Sequence, residues 1–240
     1  MATQSFTSFP GDRPVRATFG ALGDIASFIR ENVRPAPVPP HANVPRGDGH
    51  TVFVLPGFMT GDWATRRLIH WLRDAGYDAR GWGRGVNWGP TPAALTRCAA
   101  LVDEAHQRTG RKVSLIGRSL GGLFARELAK DAPARVARVI TLGTPIRFPV
   151  KTPLSPFAET MSASFDQAFT QRLPDLVRNP DVPVTAFHSR SDGIVPWESC
   201  LVDEGPNAEN IEVDSPHTIM GTHPLAMRIM AERLAGATGA

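Results

Sequence analysis

The chain has 240 residues, 42% of them hydrophobic and 20% charged, the balance of an ordinary folded domain and neither that of a disordered tract nor of a membrane-embedded bundle. An α/β core of that length buries roughly three-quarters of its unfolded surface, so one domain is expected rather than two. The formal charge of +3 comes from arginines scattered among acids, with no block of like charges, which reads as a solvated surface and not as a nucleic-acid footprint.

Residues 1–48 read as an appendage, a helix followed by a Pro-rich linker. Residues 15–33 carry the spacing of a short amphipathic helix, after which Pro35, Pro37, Pro39, Pro40 and Pro45 break any regular element. Met1 to Phe9 has neither the basic start nor the apolar run of a secretory leader, and the longest apolar stretch, Thr51 to Met59, is too short to cross a bilayer. A cytoplasmic protein without stable membrane insertion is expected. Cys98 and Cys200 are too few for a disulfide framework and are not spaced with histidines as metal ligands.

From residue 49 to 240 short apolar runs alternate with helical periodicity, the sign of βαβ units. Strands are predicted at Thr51 to Leu55, Tyr77 to Trp82, Val113 to Ile116, Val136 to Leu142, Val182 to His188 and Ile211 to Val213. Helices are predicted at Asp62 to Asp74, Pro92 to Arg108, Ser119 to Lys130 and His223 to Leu234, with Asp62 and Thr91 as N-caps and Gly76 and Gly110 as stops. The expected fold is α/β, a mostly parallel sheet of about six strands with helices on both faces. The interval 144–180 breaks the rhythm. Phe157, Met161, Phe165 and Phe169 recur there at helical spacing, so a lid or cap over a site and a helix packed on the core are the two readings.

The run Val113-Ser114-Leu115-Ile116-Gly117-Arg118-Ser119-Leu120-Gly121-Gly122 is a buried strand, a glycine-flanked serine and the start of a helix. A serine on a strained strand-to-helix turn projects its hydroxyl, and side chains at Gly117 or Gly121 would collide with neighbouring backbone. The same turn sets the N–H of Leu120 at a helix N-terminus, where it can bind an oxyanion.

Such a serine is a weak nucleophile until a base takes its proton and a carboxylate orients that base. On a strand-elbow-helix scaffold the chain order is serine, acid, histidine. Asp192 follows a strand in a polar turn and so lies on the sheet edge of the elbow. Asp203, Glu204 and Asp214 are placed less well. His217 is the candidate base, in a loop between the last strand and the last helix. His223 precedes Pro224 at a helix start and is expected to cap or pack, and His188 lies within a strand. The loop Leu55-Pro56-Gly57-Phe58-Met59-Thr60-Gly61 is expected to supply a second oxyanion N–H from Phe58, with Met59 as the alternative.

These residues resemble the α/β-hydrolase superfamily, particularly its compact esterase- and lipase-like members, from Val52 to Leu234. The likeness rests on Leu55-Pro56-Gly57-Phe58, Gly117 to Gly122, Ser191-Asp192-Gly193-Ile194-Val195-Pro196 and Ser215-Pro216-His217, and Gly81 to Pro90 also looks like a loop of some bacterial members. Pro56 stands where many relatives carry histidine, and Arg118 where they carry histidine, tryptophan or tyrosine. The resemblance implies ester hydrolysis through an acyl-enzyme, with no metal or cofactor. The implied substrate is a small-molecule ester whose apolar acyl group rests on Met59, Trp88, Phe148, Phe157 and Phe165. Arg118 would either favour an anionic acyl group or form an ion pair beneath the elbow. The same machinery would serve an acyltransferase, a thioesterase or a cofactor-free perhydrolase. A ligand-binding protein that keeps this fold without turnover is the reading from another class, and a nucleic-acid or surface-binding module using the arginines is a third.

Overall fold

The computed structural model describes residues 44–147 and 167–236, together with Gly23, Ala26, Val38, Pro40, His41 and Phe165. Six strands, β1 (Thr51–Leu55), β2 (Asp78–Gly81), β3 (Val113–Arg118), β4 (Val136–Leu142), β5 (Val184–His188) and β6 (Ala208–Glu212), form one sheet in the order β2-β1-β3-β4-β5-β6. Every pairing is parallel. The chain winds outward from β1 to β2, then crosses back to β3, so the order reverses between β1 and β3. In open α/β sheets, ligands bind in the crevice beyond the strand C-termini at such a reversal.

The helices are α1 (Asp62–Asp74), α2 (Pro92–Thr109), α3 (Leu120–Asp131), a single turn α4 (Gln167–Thr170) and α5 (Pro224–Ala235). Helices cover both faces of the sheet, which is why β1 and β3 are buried along their whole length. Alternate residues serve different layers. Phe53, Leu55 and Leu115 pack with Leu123 and Phe124 of α3, whereas Val52, Val54 and Ile116 pack with Leu68 and Leu72 of α1 and Met227 and Met230 of α5. Among the described residues no helix is long and apolar enough to cross a membrane.

Element ends follow their chemistry. Thr91 caps α2 by accepting the Ala94 N–H at 3.2 Å, and Gly110 ends that helix in the left-handed conformation. The expectation for Asp62 is corrected. Gly61 is the N-cap of α1, and the Asp62 carboxylate instead accepts the N–H groups of Trp82 (3.0 Å) and Gly83 (2.9 Å), tying the exit of β2 to α1. The last strand is Ala208–Glu212 rather than Ile211 to Val213, because this edge strand is only half buried and no apolar run announces it.

In the interval that broke the rhythm, Phe165 and Phe169 meet edge to face at 5.0 Å and join the core beside α3. The wholly buried Arg126 of α3 donates to the carbonyls of Leu176 (3.0 Å) and Arg178 (2.9 Å), anchoring this segment. Phe148, Phe157 and Met161 lie outside the described residues. At the N-terminal end of the strands, Val44 joins the core, and His50 bridges Asp48 (Nδ1 to Oδ1, 2.5 Å) and Ser114 at the start of β3 (Nε2 to Oγ, 2.9 Å). Burial alone would raise the Asp48 pKa, but hydrogen bonds from His50 and Arg111 hold it well below the usual carboxylate range.

Candidate active site

The strand-to-helix turn at Ser119 is strained. Ser119 has φ 50° and ψ −125°, and it and Met59 are the two non-glycine residues with positive φ among those described. Three bonds impose that conformation: the Ser119 N–H donates to Leu142 O (2.8 Å), and Ser119 O accepts from Gly122 N–H (2.9 Å) and Thr144 Oγ1 (2.9 Å). The glycines are steric necessities. A Cβ on Gly117 would lie 2.3 Å from Gly122 Cα, and one on Gly121 2.3 Å from Leu55 O. Leu120, buried, is the first residue of α3.

Asp192 and His217 meet at the tips of β4 and β5. His217 opens a short 3₁₀ turn, and its Nδ1 lies 2.6 Å from Asp192 Oδ2, with both side chains nearly inaccessible. The other carboxylate oxygen, Oδ1, accepts the N–H groups of Ile194 (2.8 Å) and Val195 (2.7 Å), which fixes its plane. With Asp192 ionised, the proton belongs on Nδ1, leaving Nε2 as the basic nitrogen. Gly143, at φ 57°, packs its backbone on this pair: a Cβ there would stand 2.9 Å from His217 Nδ1 and 3.2 Å from Asp192 Oδ2. Gly143 directly follows Leu142, whose carbonyl holds the Ser119 amide. Ser119 and the His217–Asp192 pair are thus held by consecutive residues at the end of β4.

The loop after β1 closes the other side. A Cβ on Gly57 would lie 3.2 Å from Ser119 Cβ, so this backbone runs against the serine. Thr60 closes the turn, its N–H and Oγ1 both donating to Gly57 O. The Met59 N–H, the alternative oxyanion donor expected from the sequence, is given instead to Asn87 O at 2.7 Å. Asn87, fully buried, also donates from Nδ2 to Pro56 O (2.8 Å) and from N to Thr60 O (2.8 Å).

The rivals have other partners. Asp214 accepts from Ser191 Oγ, Asp203 pairs with Arg147, and Asn210 donates to Glu204. His223 is the N-cap residue of α5 but makes no side-chain cap. His188 lies against the Trp197 ring at 5.7 Å, and burial pushes its pKa down. Arg118 is 7% exposed and lines a cleft with Thr65, Leu68, Thr218 and Thr222 on the α1 face, beneath the elbow. Of the expected acyl contacts, Met59 (48% exposed) and Trp88 (63%) lie on the loops beside the serine, whereas Phe165 is buried with Phe169 in the core. Phe169 lies by Leu128 and Asp131, at the end of α3 remote from Ser119. Among the described residues no group of His, Cys, Asp or Glu is arranged to hold a metal ion.

Sequence reasoning missed Gly143, Thr144 and Asn87. The glycine that directly follows β4 was a usable signal. Asn87 lay in the glycine-rich run already picked out by its resemblance.

The model of the serine aminopeptidase (S33) hydrolase family matches residues 49–191, more than half of the chain. The chain belongs to this family. The S33 match includes the elbow and the Phe58 loop but ends just before Asp192, so it does not reach Asp192 or His217. No curated protein sequence matches. Among solved structures, the S33 chain is similar to Aspergillus fumigatus lipase B (17% identity, TM-score 0.63, 83% of this chain) and spans 55% of that protein's length. It is also similar to a monoacylglycerol lipase of Paleococcus ferrophilus (16%, 0.56, 81% of this chain and 97% of that one) and to Bacillus licheniformis lipase BlEst2 (18%, 0.59, 83% and 96%). At such identities the likeness shows the fold, an α/β hydrolase.

Proposed function

We propose that this S33 hydrolase cleaves carboxylic esters through an acyl-enzyme on Ser119. The observation that carries the reading is the 2.6 Å contact of His217 with Asp192, held by Gly143 beside the residue that fixes the strained serine. His217 Nε2 takes the Ser119 proton as Oγ bonds to the ester carbonyl carbon, and the N–H groups of Phe58 and Leu120 receive the oxyanion. Collapse breaks the bond to the alkoxy oxygen, which leaves as the alcohol with the proton from Nε2. Water then attacks the acyl carbon while His217 takes its proton, and the carboxylic acid departs as Ser119 is restored. The lipase names of the structural neighbours support an ester with an apolar acyl portion, for which Met59 and Trp88 are the contacts on the rim.

The test is a panel of short- to long-chain nitrophenyl esters, thioesters and aminoacyl nitroanilides, run with wild type and Ser119→Ala. Fluorophosphonate labelling of the same proteins is read by mass spectrometry. Ester turnover and a labelled Ser119, both lost in a normally melting Ser119→Ala protein, are expected. Turnover that survives this substitution, or anilide cleavage with no ester cleavage, overturns the reading.

A further inference from the structure

The exposed large hydrophobic side chains among the described residues are Met59, Trp63, Val86 and Trp88. They are neighbours. Met59 N–H donates to Asn87 O, placing Met59 against the residue flanked by Val86 and Trp88. A Cβ on Gly61 would meet Gly85 O at 2.6 Å and Trp63 Cδ1 at 3.3 Å, so Trp63 borders the same loop. The platform is built, not loose. Asp62 grips the amides of Trp82 and Gly83, Trp82 Nε1 donates to Gly85 O (3.0 Å), and Asn87 ties the loop to Pro56 and Thr60. Trp63 is 52% and Trp88 63% exposed, and a contiguous exposed apolar patch marks a surface for interaction.

Among the described residues of these loops and the helices beside them, the exposed charges next to the patch are arginines. Exposed Arg66 lies one helical turn from Trp63, Arg84 sits exposed between Gly83 and Gly85, and Arg97 is exposed on α2. Residues 79–102 contain no acid, and Asp62, the one acid in residues 56–73, is bound to backbone amides. Indole rings suit the headgroup region of a bilayer, and arginines beside them are drawn to anionic lipids.

We propose that this rim docks the protein peripherally on an anionic phospholipid surface, with Trp63 and Trp88 entering the headgroup layer. Single-stranded nucleic acid is the less favoured occupant, because Met59 and Val86 are aliphatic and offer a base no ring to stack on. The docking does not depend on Ser119 being the nucleophile.

The full chain is mixed with vesicles of phosphatidylcholine alone or with phosphatidylglycerol, and binding is read by co-sedimentation and by quenching from brominated lipids. Binding to anionic vesicles that weakens with salt is expected. Exposed Trp63 and Trp88 are quenched, while Trp71 and Trp82, which are 3% and 4% exposed, are not. The Trp63→Ser/Trp88→Ser double variant should bind about tenfold or more weakly. Arg84→Glu, at an exposed loop position, should weaken binding and serves if the double variant misfolds. Ser119→Ala should sediment like wild type, which separates failure of docking from failure of the catalytic reading. No sedimentation with anionic vesicles, undiminished binding by a folded double variant, or preference for a single-stranded oligonucleotide over vesicles overturns the proposal.

Discussion

Gly143→Ala tests whether the His217–Asp192 pair does the work assigned to it, without altering any of the three candidate catalytic side chains. The added methyl would stand 2.9 Å from His217 Nδ1, 3.0 Å from Cε1 and 3.2 Å from Asp192 Oδ2, where ordinary contact begins at 3.4 Å. The imidazole must therefore retreat by about 0.5 Å, and at 4% exposure it has little room to do so. Alanine at φ 57° adds a strain of about 1–2 kcal/mol, so the protein should fold but melt lower. A 1 Å misplacement in a catalytic array costs on the order of a hundredfold, so kcat should fall by about ten- to a hundredfold. KM should change little, because the methyl faces the acid–base pair. Steady-state kinetics on a soluble short-chain nitrophenyl ester, with the rate of fluorophosphonate labelling alongside, reads the effect. Wild-type kcat in a folded Gly143→Ala protein would refute the role given to His217.

Asp192→Asn keeps the shape of the carboxylate but cannot hold His217 in the productive tautomer, and kcat should drop by about 10⁴ with KM within a few-fold, read by steady-state kinetics. Asn87→Ala leaves Pro56 O without its donor and frees the Phe58 loop. A loss of about 1–3 kcal/mol in chemical denaturation and a roughly tenfold lower kcat are expected. Burial lowers the pKa values of His188 and His223 from the ordinary 6.5, so the unfolded chain takes up protons that the folded chain resists. That stability is whole above 6.5 and is lost as pH falls through the folded values, so His188→Gln should flatten the decline of the urea midpoint between about pH 7 and about pH 5.

Much of this architecture was legible because local pattern and global burial agree. Thr51–Leu55 and Val136–Leu142 read as strands with the observed bounds, since a strand covered on both faces is mostly apolar and β-branched. Ala208–Glu212 hid because an edge strand has no such demand. At the candidate site, the elbow was visible as a strand, a glycine, a serine and a helix in one unbroken run. Gly143 and Asn87 matter through neighbours 74 and 31 positions away, His217 and Pro56, and such contacts leave no local spacing to count. Phe165 and Phe169 meet, although only Phe169 lies in the helical turn, and a four-residue spacing tells which side chains can share a face and not what that face covers.

The cluster of Asp48, His50 and Ser114 has a consequence for how reactive serines are recognised in this chain. It presents the same three chemical groups in the same order of contact as a hydrolytic triad, at the other end of the strand that leads to Ser119. Ser114 nevertheless lies in regular strand and is sealed from solvent. A carboxylate, an imidazole and a hydroxyl in a row can therefore simply tie the N-terminal ends of two neighbouring strands together. What sets position 119 apart is a backbone bent out of its comfortable range at the very start of a helix.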